Sequence, residues 1–153
     1  MSNTNDIKKI IQEQYLKCAE DPVYFMRQYC YIQHPTKGKI KFNLFPFQEE
    51  SSTLSAGYAL WSMLFNEDFN VLVIATTQDV AKNLVSKVQI MNENLPSWLK
   101  TNIVTNNKLS LKFANGSQIK AISSSSTGAR SEALSLLIVD EAAFIRNIEE
   151  IWV

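Results

Sequence analysis

Toward its carboxyl-terminal side the sequence runs Leu134-Ser135-Leu136-Leu137-Ile138-Val139 straight into Asp140-Glu141-Ala142-Ala143-Phe144. Four consecutive aliphatic residues, two of them β-branched and none alternating with a polar residue, predict a strand buried on both faces, the kind found in parallel sheets. Such a strand points the chain to an α/β architecture.

The abrupt change from apolar run to paired carboxylates has two readings. At the carboxyl end of a central strand, Asp140 can hold a Mg²⁺ that bridges nucleotide phosphates, while Glu141 orients or deprotonates the attacking water. In the other, Asp140 caps a following helix and Glu141 sits in its first turn, where the helix dipole favours acids.

A chain of 153 residues has the size of one domain, and 46% hydrophobic residues suffice for a core. Fifteen basic and fifteen acidic side chains balance, so any DNA contact must be local rather than a matter of bulk charge. The start, Met1 to Lys9, lacks the apolar core of a signal peptide, and no apolar run approaches the ~20 residues of a membrane span. A cytoplasmic protein, neither secreted nor membrane-bound, is expected, with Cys18 and Cys30 as thiols. Cys30 and His34 lack the second Cys/His pair that zinc needs, and read as a buried thiol and a turn histidine. Asn115-Gly116-Ser117 fits a glycosylation pattern but reads as a turn.

In chain order, Ile7, Ile10, Ile11, Tyr15 and Cys18 have amphipathic helical spacing over 6–20. Asp21-Pro22 predicts an N-cap and first residue of an aromatic-rich helix carrying Val23, Tyr24, Phe25, Met26 and Tyr29, expected in the core. His34 to Gly38 is a turn, and Ile40, Phe42 and Leu44 then alternate with Lys39, Lys41 and Asn43 as a half-exposed strand with a basic outer face. Phe45-Pro46-Phe47-Gln48 precedes a helix expected to be capped by Ser51 or Ser52, with apolar spacing at Leu54, Tyr58, Trp61 and Phe65. Val71 to Ala75 is a second buried parallel-type strand; Thr76 or Thr77 caps a helix through Val80, Leu84, Val88 and Met91 that breaks at Leu95-Pro96. A hairpin turning at Asn115-Gly116 is inserted before the last strand, and the polar loop 123–131 offers hydroxyls, amides and Arg130.

The order Phe47-Gln48, Ser52-Thr53, Thr76-Thr77-Gln78, Asn115-Gly116-Ser117, Gly128-Ala129-Arg130 and Leu137-Ile138-Val139-Asp140-Glu141-Ala142-Ala143-Phe144-Ile145 resembles the ATPase domain of tailed-phage terminase large subunits. The resemblance implies a partial P-loop NTPase-like (RecA-like) sheet with flanking helices, a helical lead-in over 1–44 and an incomplete ATPase-like part over 45–153. It also implies ATP and Mg²⁺ as cofactors; duplex DNA, a small terminase subunit and a portal ring as partners; a homo-oligomer; and the host cytoplasm as location. Gln48 would lie near adenine, Ser52 and Thr53 at the phosphates with the Thr53 hydroxyl on the metal, Asp140 on the metal, Glu141 as the water-activating residue and Arg130 near the γ-phosphate.

The sequence departs from that family where the phosphates should be gripped. Members place a strand and a basic phosphate loop between the glutamine element and the Ser-Thr helix, whereas here Glu49-Glu50 runs directly into Ser51, and no Gly-Lys-Ser or Gly-Lys-Thr occurs. Losing one such donor typically costs 10²–10³ in rate, so turnover by this chain alone is not expected. Its stop at Val153, before the strand and coupling motif that follow the acidic pair in the family and without the nuclease domain, likewise predicts a truncated enzyme. Two other readings stand beside it: a non-catalytic interaction or regulatory module of the packaging complex, or one half of a split ATPase. A helicase-type ATPase is more distant.

Overall fold

The computed structural model describes residues 3–34, 36–42, 50–123 and 133–142; the expectations for Gln48 and Arg130 lie outside them. The fold is mixed α/β, with four α-helices and a five-stranded mixed sheet among the described residues.

Two helices open the chain. Helix α1 (Asn3–Glu20) presents Cys18 to the core, and α2 (Pro22–Tyr29) starts as the Asp-Pro pair predicts. An Asp21 carboxylate oxygen accepts from the Val23 and Tyr24 amides at 2.8 and 3.1 Å, and proline at the first helical position has no amide to leave orphaned. Phe25 and Met26 are buried, while the Tyr24 and Tyr29 hydroxyls both donate to Gln14 Oε1, at 2.6 and 3.0 Å. Burial pushes the thiol of Cys18 up to about 11; burial, then the neighbouring Cys18, pushes Cys30 up to about 12.

Next comes a small antiparallel ribbon, β1 (Tyr31–His34) with β2 (Gly38–Lys41). The turn between them is held by His34, whose Nδ1 accepts from the Thr36 and Lys37 amides. Gly38, at φ +69°, supplies a backbone conformation that side chains disfavour.

Helix α3 (Glu50–Phe65) begins one or two residues before the expected cap, so Ser51 and Ser52 lie inside its first turn rather than at the N-cap. Its inner face also differs from the one the large apolar residues suggested. Ala56, Ala59, Leu60 and Met63 are buried, whereas Leu54 and Tyr58 stay 40% and 42% exposed. The reason is close approach: a Cβ on Gly57 would stand 2.5 Å from Met26 Sδ, so the small-residue face lets α3 lie tight against α2. Trp61 Nε1 donates to the Cys18 carbonyl at 2.8 Å and ties α3 to α1.

Strand β3 (Asn70–Ala75) is buried along Val71 to Ala75, as a parallel central strand should be. Helix α4 (Gln78–Glu93) follows, with the Thr77 hydroxyl accepting from the Val80 amide at 3.3 Å, and packs Leu84, Val85, Val88 and Met91 over the sheet. Strands β4 (Ile103–Asn107), β5 (Ser110–Phe113) and β6 (Gln118–Ser123) come next, then β7 (Leu136–Val139). The sheet order is β4-β5-β6-β3-β7, with β3 parallel to both β6 and β7. The expected hairpin is therefore present at β5–β6, but its return strand is part of the main sheet, between β5 and β3.

The tip of that hairpin closes the far end of α3. Asn115 Nδ2 donates to the Met63 and Asn66 carbonyls at 2.8 and 3.1 Å, and the Ser117 hydroxyl donates to the Asn66 carbonyl at 2.8 Å while accepting from the Phe69 amide. With Ser117 fully buried and the Asn115 amide so engaged, this tripeptide is structural.

One cluster of buried side chains runs from Cys18, Phe25 and Phe42 through α3 and α4 to Val71, Val73, Leu111, Phe113 and Ile119, so the lead-in and the remainder share a core. On the opposite face of the sheet Leu72 and Ile74 are buried with Ile122, Leu137 and Val139 against them. Strand β7 thus contributes to both faces, as its apolar run predicts. It is nonetheless only half-buried, because β3 is its one neighbour among the described strands.

Candidate functional site

Strands β3 and β7 run parallel, Ile74 opposite Val139, so both end at one edge of the sheet. In open α/β sheets this edge, beyond the carboxyl ends of parallel strands, is where ligands bind. The Asp140 amide donates to the Ile74 carbonyl at 2.8 Å, extending the pairing one residue past β7 and fixing the half-buried Asp140 at the rim.

Glu141 then leaves the strand direction. Its backbone sits at φ +54°, in the left-handed region, so it is not in the first turn of a right-handed helix as the capping reading required. Holding a non-glycine residue there costs roughly 1–2 kcal/mol, and residues held in sparsely populated backbone regions cluster at functional sites. The turn brings the exposed Glu141 carboxylate to Thr76, whose hydroxyl donates to Oε2 at 3.2 Å.

The sequence offers Thr76 only as an alternative to Thr77 for capping a helix, not as a site residue. The signal was present in Thr76-Thr77 after a buried strand: only one of the pair can cap α4, and Thr77 does so, which leaves Thr76 at the strand end facing the rim.

At the start of α3, Thr53 is buried at 7% exposure and Ser52 is half-buried. Lys87 of α4 donates from Nζ to the Ser52 hydroxyl at 2.5 Å, placing a cation at the amino end of α3 that the sequence did not reveal. Between α3 and β7 lies an open groove of about 530 Å³, lined by Pro22, Val23 and Met26 of α2, by Leu54, Ser55 and Tyr58 of α3, and by all four residues of β7. The structure therefore joins Glu141 to Thr76 and Ser52 to Lys87, and sets the first turns of α3 across a groove from the strand that leads to Asp140.

The described donors suit a hard divalent cation in part. Mg²⁺ takes oxygen ligands and is usually held by one or two carboxylates together with substrate phosphates, and Asp140 at the rim is a carboxylate of that kind, with Glu141 beside it in sequence. Among the described residues no helix is long and apolar enough to cross a membrane. No protein-family model matches the chain.

Proposed function

We propose that this chain is a portion of a terminase-type packaging ATPase, of the RecA-like class, that carries the metal and water-activating acids but cannot turn over ATP alone. The observation that supports it most is the paired ending of β3 and β7: Asp140 anchored on Ile74, and Glu141 turned onto Thr76 by its own left-handed backbone. The two neighbouring carboxylates thus differ in setting, which supports giving them different roles. Asp140 stays at the strand rim, where a metal-holding acid belongs, and Glu141 is turned aside with one oxygen accepting from a hydroxyl, as a residue that orients water is. A bound Mg²⁺ would supply charge neutralisation to the phosphates. Ser52 and Thr53 on α3, with Lys87 beside them, would face the phosphate side, and Gln48 and Arg130 keep the adenine and γ-phosphate roles that the resemblance implies.

Titration of Mg-ATP into the isolated chain, followed calorimetrically, tests this. Weak binding without phosphate release is expected, and Asp140→Asn should abolish its Mg²⁺ dependence. Steady hydrolysis by the isolated chain, or binding indifferent to both Asp140→Asn and Glu141→Gln, would overturn the proposal.

A second reading is favoured by β7 and its groove. A parallel strand with apolar side chains on both faces and a neighbour on one side only, among the described strands, suits a module completed by a further polypeptide, as in a split ATPase or a regulatory subunit. Nucleotide binding that appears only when a second packaging protein is added would select it.

A further inference from the structure

The chain is neutral as a whole, yet from Asp21 to Glu49 no acidic residue intervenes, while Arg27, Lys37, Lys39 and Lys41 do. The β1–β2 ribbon lies within this stretch and sorts its side chains by face. In its antiparallel register Tyr31 stands opposite Lys41 and Gln33 opposite Lys39, whereas Ile32 stands opposite Ile40. Directly opposed residues of an antiparallel pair share a face. Ile32 packs on the core, so Tyr31, Gln33, Lys39 and Lys41 point the other way.

Gln33, Lys39 and Lys41 are exposed, Lys37 is exposed at the turn, and Lys39 Nζ lies 5.0 Å from the centroid of the Tyr31 ring. None of these lysines forms an ion pair among the described residues, where the recorded bridge is Lys82 with Asp79.

We propose that this face of the β1–β2 ribbon is a contact surface for the phosphate backbone of duplex DNA. Lys, Tyr and Gln are among the side chains that proteins set against phosphate and sugar oxygens, and none of the four residues is an acid that would repel them. Lys39 and Lys41, two residues apart on one strand, are separated by about 7 Å, so they meet successive charges along a nucleic-acid strand rather than a single group. The face has no large aliphatic side chain to insert into a lipid surface, which favours a polyanion in water over a membrane. The choice of duplex over other polyanions rests on the packaging reading; the charge pattern does not.

The test is fluorescence anisotropy of a short random-sequence duplex with the full chain, over a salt series. Lys39→Gln with Lys41→Gln should lower the slope of log affinity against log salt by about 2 and weaken binding on the order of tenfold near physiological salt. Lys8→Gln with Lys9→Gln, which removes the same charge from exposed positions of α1, should leave binding unchanged. Equal loss in both variants, absence of duplex binding by the unaltered chain, or binding to phosphatidylserine vesicles in its place would overturn the proposal. Mg-ATP titration is read separately, so failure here leaves the nucleotide reading standing, and the reverse.

Discussion

Thr76 at the end of β3 donates a hydrogen bond to Glu141 at the end of β7, joining through side chains two parallel strands that are 65 residues apart in sequence. The bond links the described residue of this rim that departs from ordinary backbone geometry to β3, the interior strand beside β7.

Glu141 is held at a cost that glycine would not incur. Glu141→Gly should leave the fold as stable or raise its stability by about 1 kcal/mol, roughly 2–4 °C in melting temperature, while removing the carboxylate. Glu141→Gln keeps the strain and should not gain. Calorimetric melting of both variants checks this; a clear loss of stability in the glycine variant would show that the exposed carboxylate contributes more than its backbone costs.

Gly116 meets two constraints at once. It sits at φ +87°, and a Cβ there would collide with Asp68 Oδ1 and lie 3.4 Å from the Asp68 Cα. Gly116→Ala should cost about 2 kcal/mol in urea unfolding. Adding Asp68→Ala should return only the part due to the clash. Asn115→Ala, which removes a donor from the Met63 and Asn66 carbonyls and leaves the latter only the Ser117 hydroxyl, should cost about 1–2 kcal/mol.

The two buried thiols make stability fall at alkaline pH. Their folded values, about 11 for Cys18 and about 12 for Cys30, lie above the ordinary value of 9.0, so the unfolded chain releases protons first as pH rises. The native state therefore keeps the full benefit below pH 9 and loses it progressively up to about 11 and 12. Cys18→Ala with Cys30→Ala should flatten that alkaline decline. At pH 8 both thiols should react with a disulfide reagent only as fast as the chain opens.

Asn92 is 3% exposed and its Oδ1 has no hydrogen-bond partner among the described residues. Replacing it with an apolar residue of like size, Asn92→Leu, should be neutral or stabilising by about 1 kcal/mol, since an unmade buried hydrogen bond is removed. Substantial destabilisation in denaturant titration would indicate that the oxygen is satisfied by bound water.

What could be read from sequence was whatever depends on near neighbours. The Asp21-Pro22 helix start, a threonine cap at Thr76 or Thr77, the Asn115-Gly116 turn and the apolar runs of β3 and β7 all follow from local chemistry, and the structure has each of them, with Thr77 as the cap. Strand order does not. The sequence offers no sign that β6 sits between β5 and β3, or that Tyr31–His34 forms a strand, because pairing partners settle both. For α3, apolar on nearly every side, periodicity could not choose a face, and the fit of Gly57 against Met26 did so. Asp140 and Glu141 were legible as a motif. Their surroundings come from elements distant in sequence: Ile74 and the Ser52–Lys87 pair had no local signal, and Thr76 only the doubled threonine after β3.

Among the described strands the sheet gives out at β7 before its greasy side chains do. On that side the same four residues that deliver the acidic pair have no described strand beside them, and would offer a row of backbone groups to any extended strand that drifts past, including β7 of another molecule. How concentrated a solution of lone chains can become before it clouds is thus set at the doorway of the chemistry, and whatever seals that border would quiet the solution and steady the acids together.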